Sequence, residues 1–166
     1  MNFQEELKER LEKDSGYLVT CYPNLYKKVI DKIIEPFQNK IITKIMSPET
    51  KGLFYGPTIA YKMKLPFVTI FKSGRVPKEF VVSSSYKDYS KKSKSIDIGK
   101  ITVRKDDKIL LVDDIMETGE SAKSAIKLIE QLGGEVIGIS VVYNKLSKEK
   151  ERYFNKYNLK YLVKVK

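Results

Sequence analysis

An unbroken run of four apolar residues, Ile109 to Val112, followed at once by Asp113 and Asp114, constrains this chain more than any other stretch. A strand with one face in water alternates apolar and polar side chains, whereas an unbroken run reads as a strand covered on both faces. "KILLVDD" is therefore the strongest buried-strand candidate. From Ser121 to Gln131, Ala122, Ala125, Ile126 and Ile129 share one face of a predicted helix, which Gly133 and Gly134 end. "EVIGISVVY" is the next strand and "YLVKV" a last one, while "KIITKI" (residues 40–45) and "PFVTIF" are earlier ones. Strands alternating with helices predict an α/β fold with a parallel sheet and right-handed crossovers. Ligands of such sheets bind beyond the carboxyl ends of the strands, which places the loops 46–52, 72–98 and 113–121 on one edge.

The remaining segments carry weaker signals. Phe3, Leu7 and Leu11 predict a short amphipathic helix over residues 2–13 that ends at Asp14-Ser15-Gly16. "YLVTCY" reads as a short strand. Leu25, Val29, Ile30, Ile33 and Ile34 form a helical stripe that stops before Pro36. "MSPETKG" has the composition of a turn. A helix is expected from Leu53 to Met63, with Pro57 as its weak point. Residues 72–100, with Gly74, Pro77, three consecutive serines and "SKKSKS", are the least structured part by pattern.

Composition removes several function classes. At 166 residues a single domain is expected, and its only cysteine, Cys21, rules out an internal disulfide and points to a reducing, cytoplasmic setting. The chain has no histidine, the commonest metal ligand and general base. No apolar run approaches the roughly 20 residues that span a bilayer, so no membrane partner is expected. A net charge of +11 invites a polyanion, but the basic residues are scattered among 21 acidic ones, the pattern of a solvated surface. Nucleic acid is accordingly not the expected partner.

The segment "ILLVDDIMETGES" adds chemistry to the buried strand. The turn Thr118-Gly119-Glu120 leads into a helix, whose unpaired N–H groups and positive dipole end favour an anion. Hydroxyls of Thr118 and Ser121 add donors for phosphate oxygens. The two carboxylates beside them suit ribose hydroxyls or a divalent cation.

This segment resembles the thirteen-residue phosphoribosyl pyrophosphate (PRPP) signature of the type I phosphoribosyltransferases, with Glu120 in place of a second glycine and Ser121 in place of a threonine. The likeness extends over about residues 40–145 and is greatest to the adenine (purine) branch. It implies an α/β, parallel-sheet type I phosphoribosyltransferase fold with flanking helices and a small N-/C-terminal hood. One domain would span 1–166, with a helical hood region at 1–39, a core at 40–145, and a C-terminal helix and edge strand at 146–166.

The resemblance also implies roles residue by residue. Glu117, Thr118, Gly119, Glu120 and Ser121 would bind the 5′-phosphate of PRPP. Glu49, Thr50 and Lys51 would form the pyrophosphate loop, helped by Lys72 and Arg75 from "KSGRVP". "SSYKDYSKKSKSIDI" resembles the mobile catalytic hood, with Ser85, Tyr86 and Tyr89 in the flexible loop and Asp88 as proton acceptor or loop anchor. Val142, Tyr143 and Asn144 would floor the base. Asp113 and Asp114 would hold the ribose hydroxyls and, directly or through water, Mg²⁺ as cofactor.

The implied reaction transfers 5-phosphoribosyl from PRPP to a nucleobase, adenine first, giving the nucleoside 5′-monophosphate and pyrophosphate in purine salvage. A 6-oxopurine, xanthine or orotate acceptor stays open, as does a PRPP-sensing regulator without turnover. A homodimer, paired through the sheet-edge and loop region, is expected by the same resemblance.

Overall fold

The computed structural model describes residues 2–87 and 90–165. In chain order it contains α1 (Phe3–Asp14), a 3-10 turn (Tyr17–Cys21), α2 (Pro23–Ile34), β1 (Lys44–Pro48), a 3-10 turn (Lys51–Phe54), α3 (Gly56–Met63) and β2 (Phe67–Lys72). There follow β3 (Val81–Lys87), β4 (Ser93–Gly99), β5 (Lys108–Met116), α4 (Glu120–Gln131), β6 (Glu135–Asn144), α5 (Lys148–Asn155) and β7 (Leu159–Lys164). One seven-stranded sheet runs in the order β3-β4-β2-β1-β5-β6-β7. Its five strands from β2 to β7 are parallel, and β4 and β3 continue it antiparallel.

β5 is central for the reason its composition suggests. Successive strand side chains point to opposite faces. Ile109 and Leu111 enter the layer that α4 and α5 cover, and Leu110 and Val112 enter the layer that α1, α2 and α3 cover. α2 buries its whole apolar stripe, Leu25, Val29, Ile30, Ile33 and Ile34; each such side chain contributes about 1.5–3 kcal/mol by leaving water. α4 ends as expected, with Gly133 at φ +94 and Gly134 N–H donating to the Ile129 carbonyl at 3.0 Å.

Four local expectations are corrected. "YLVTCY" is a 3-10 turn, not a strand: Gly16 enters it at φ +73, and Val19 is buried among the α1 and α2 side chains instead of pairing with a sheet. The first strand begins at Lys44, beyond most of "KIITKI". Ile41 is 80% exposed, and Thr43 starts the contact with β5 through its N–H to the Lys108 carbonyl at 2.8 Å. Pro57 does not weaken α3, because the helix starts at Gly56 and the proline occupies the first turn, where its missing N–H has no partner to lose. Residues 72–100 hold the β3–β4 hairpin. Its serines obscure the strand pattern but bond across it, Ser85 Oγ to Ser95 Oγ at 2.8 Å and Ser83 Oγ to Asp97 Oδ1 at 2.7 Å. The sheet is therefore mixed, its parallel part being the five strands from β2 to β7.

Among the described residues no helix is long and apolar enough to cross a membrane.

Candidate active site

The carboxyl ends of β1, β2 and β5 meet at one edge and border a cleft of about 200 Å³. Asp113 lies at its floor, and Glu117, Thr118, Gly119 and Ser121 form one wall where β5 passes into α4. Opposite are Glu49, Lys72 and, from the β3–β4 hairpin, Tyr86. Loops far apart in the chain thus converge as expected for the ends of adjacent strands in an α/β sheet.

Asp113 and Asp114 emerge where β5 is still buried. Asp114 is 8% exposed, and its N–H donates to Asp113 Oδ1 at 2.8 Å. Burial pushes Asp113 well above the ordinary carboxylate value of 3.8, and the adjacent Asp114 charge adds to that rise. Burial raises Asp114 too, against the hydrogen bonding with Asp113 and the charge of Lys51. Lys51 Nζ stands 3.5 Å from Asp114 Oδ2 and donates to the Ser15 carbonyl at 3.1 Å, tying the α1 end to the carboxylates. Two hard oxygen donors with more negative charge than their surroundings balance form a donor set that fits a divalent cation shared with substrate oxygens. Among the described residues no group of three or more His, Cys, Asp or Glu side chains converges.

The loop after β1 carries a cis peptide between Glu49 and Thr50. Glu49 Oε2 accepts the Lys72 backbone N–H at 2.9 Å, and its Oε1 lies 3.7 Å from Arg75 Nε. Lys72 Nζ donates to Thr50 Oγ1 at 3.1 Å. Of the residues expected around pyrophosphate, Glu49, Thr50, Lys72 and Arg75 form one interconnected group with Arg75 at its exposed rim, whereas the Lys51 ammonium turns to Asp114 and the Ser15 carbonyl.

At the α4 end, Gly119 has φ +78, in the left-handed region. The Glu120 N–H donates to Thr118 Oγ1 at 3.4 Å. Glu120 does not line the cleft: its carboxylate lies 3.3 Å from Lys123 Nζ and 3.5 Å from Lys150 Nζ.

The other expected residues stand as follows. Ser85 bonds across the hairpin and does not border the cleft. Asp88 and Tyr89 lie outside the described residues. Val142, Tyr143 and Asn144 are buried in β6. The Tyr143 hydroxyl donates to the Leu7 carbonyl at 2.9 Å, and Asn144 Oδ1 accepts the Leu146 N–H at 2.9 Å, so these polar groups serve contacts within the core.

Two supports escaped the sequence reading. Asp97, 2% exposed, accepts from Ser73 Oγ, Ser83 Oγ and the Gly74 N–H, and thereby organises the loop that carries Arg75. Burial alone would raise its pKa; the hydrogen bonds outweigh that and hold it below the usual value. A lone carboxylate inside the apolar "SIDI" was the available signal. The other support is α5, whose Phe154 packs behind Gly119; no sequence pattern links the two positions.

Known proteins share this fold. Residues 21–166 match the family model described as a phosphoribosyl transferase domain. An adenine phosphoribosyltransferase of Clostridium botulinum is 40% identical over 113 residues, covering 68% of this chain and 64% of its own length. One from Actinobacillus succinogenes is 34% identical over 127 residues, covering 76% and 69%. The chain thus spans somewhat under two thirds of the first of these relatives. The crystal structure of adenine phosphoribosyltransferase from Thermoanaerobacter pseudethanolicus superposes with a TM-score of 0.81 at 26% identity, covering 89% of this chain and 84% of that one. A buried strand that carries paired carboxylates, the glycine turn at the start of α4 and a sheet shared with these structures have one common explanation: this chain belongs to the phosphoribosyl transferase domain family.

Proposed function

We propose that the protein transfers 5-phosphoribosyl from PRPP to adenine, releasing pyrophosphate and forming AMP, as a cytoplasmic enzyme of purine salvage. The observation that carries this reading is the cleft itself, which the start of α4, the Asp113 carboxylate, Glu49 and Lys72 border together. Adenine is the favoured base because the relatives that match over most of the chain bear that name.

In this reading, backbone N–H groups and hydroxyls from Thr118 to Ser121 hold the 5′-phosphate at the positive end of α4. Lys51, Lys72 and Arg75 receive charge on the departing pyrophosphate as the C1–O bond breaks. Asp113 and Asp114 hold the ribose hydroxyls and stabilise positive charge that develops at C1 and the ring oxygen. The base nitrogen then bonds to C1 and gives up its proton, with Asp88 as the proposed acceptor. Mg²⁺ is the proposed cofactor: when bound by Asp113 and Asp114, directly or through water, it supplies charge neutralisation to the pyrophosphate. Tyr86 belongs to the hairpin that excludes water over the cleft.

The test is pyrophosphate release from PRPP and Mg²⁺ with adenine, hypoxanthine, guanine, xanthine, orotate or uracil in parallel. Release with adenine alone is expected. Release with another base would reassign the acceptor, and PRPP binding without release from any base would replace the enzyme by a PRPP sensor.

A homodimer belongs to the same reading. An apolar groove of about 450 Å³ beside β2 and β4 includes Val76, Phe80 and Ile101, and the latter two are 62% and 89% exposed. Exposed apolar patches of this kind mark contact surfaces. Light scattering should give twice the chain mass of 19.2 kDa, and Phe80→Asp with Ile101→Glu should give the monomer; a wild-type monomer would reject the dimer.

A further inference from the structure

The turn that the proposed function assigns to the 5′-phosphate contains an anionic side chain, Glu120, one residue beyond Gly119. A free carboxylate there would repel a phosphate dianion across a few ångströms. The structure removes the conflict through α5. Lys150 Nζ donates to the Thr118 carbonyl at 3.0 Å and lies 3.5 Å from Glu120 Oε1, while Lys123 Nζ approaches the same oxygen at 3.3 Å. Glu120 is thereby drawn to the rear of the turn, away from the cleft that Thr118, Gly119 and Ser121 line.

The position of Lys150 is informative in itself. Ser147 caps α5 by accepting the Lys150 N–H at 3.4 Å, which puts Lys150 in the first turn of the helix. A cation at that end opposes the helix dipole. Here its ammonium has two acceptors from another element. The carbonyl and N–H of a trans peptide point in opposite directions, so anchoring the Thr118 oxygen at the rear directs the Gly119 N–H toward the cleft. Phe154 supports the same peptide: a Cβ on Gly119 would stand 2.4 Å from its ring.

We infer that Lys150 is a positioning residue for the phosphate subsite, which neutralises and withdraws Glu120 while orienting the Thr118–Gly119 peptide. The inference rests on the proposed function only in taking PRPP as the ligand. Lys150 touches no substrate; it acts through the turn.

The test is a double-mutant cycle on the full chain, read as the Kd for PRPP with Mg²⁺ by calorimetry and as KM and kcat with adenine. Lys150→Met should weaken PRPP binding about three- to fivefold, the scale of a half-exposed ion pair whose second cation, Lys123, remains. KM for PRPP should rise by the same factor, with KM for adenine unchanged. Lys150→Arg should keep the parent affinity. Adding Glu120→Gly to Lys150→Met should recover most of the loss, and Glu120→Gly alone completes the cycle. High salt should shrink the Lys150→Met effect, because screening weakens the freed carboxylate. A melting curve for each variant separates binding from folding. Unchanged PRPP affinity in Lys150→Met, or equal loss in the double variant, would overturn the inference alone. Failure of the parent chain to bind PRPP would instead overturn the functional reading beneath it.

Discussion

Exchange of both Asp113 and Asp114 for asparagine is expected to lower kcat/KM by about 10³-fold or more while raising the melting temperature of the ligand-free protein above pH 7. The two effects share one cause. Asparagine keeps the shape of each side chain, and at position 113 an oxygen that can still accept the residue 114 N–H at 2.8 Å. It removes the charges that face the ribose and any cation. Those charges also oppose folding, since burial and mutual repulsion raise Asp113, and burial raises Asp114 despite Lys51. A carboxyl raised in the folded state holds its proton to higher pH than in the unfolded chain. Stability therefore falls as pH rises from 3.8 through the folded pKa, and the wild-type chain carries the full penalty above it. The variant's advantage should be present at pH 8 and shrink toward pH 4. Melting curves across that range, beside turnover assays, check both halves. A variant less stable than wild type at every pH would mean that the pair is structural and that strain for function is not stored there.

The second large effect is expected at Gly119. Its φ of +78 costs an L-residue about 1–2 kcal/mol, and overpacking adds about 1–3 kcal/mol. That second contribution arises because a methyl group would stand 2.4 Å from the Phe154 ring and 3.3 Å from Leu146 Cδ2. Gly119→Ala should thus lose about 2–5 kcal/mol in urea unfolding, at most the low end of the roughly 5–15 kcal/mol typical of a domain. Because relief requires the turn to move away from α5, PRPP affinity should drop even under conditions where the variant is fully folded. Trimming the ring with Phe154→Leu in the same background should recover part of both losses. Loss of stability with PRPP affinity intact would show that the turn does not hold the phosphate.

Legibility followed the range of the interactions. "KILLVDD" reads as a central strand because an unbroken apolar run has only one low-energy setting, covered on both sides, and β5 occupies it. α4 was readable from one face of four apolar residues and a glycine stop. The hairpin of β3 and β4 was not, since its serines have low strand preference and gain their stability across the pair and from Asp97. "YLVTCY" misled because β-branched and aromatic residues also fill a 3-10 turn when a helix pair offers Val19 a buried seat.

The candidate site divides along the same line. The sequence by itself determined which groups stand near the strand ends: paired carboxylates in the last part of β5, a hydroxyl- and glycine-bearing turn before α4, and lysines after β1 and at the end of β2. These are consecutive residues whose neighbours along the chain already set their direction. Only the tertiary structure decided which way Glu120 turns, that Lys150 and Phe154 brace the turn from behind, and that Tyr143 is held by the Leu7 carbonyl. Each of these depends on a partner some 30 to 136 residues away, and such a partner is chosen by how the layers pack on the sheet, which no local pattern of side chains encodes.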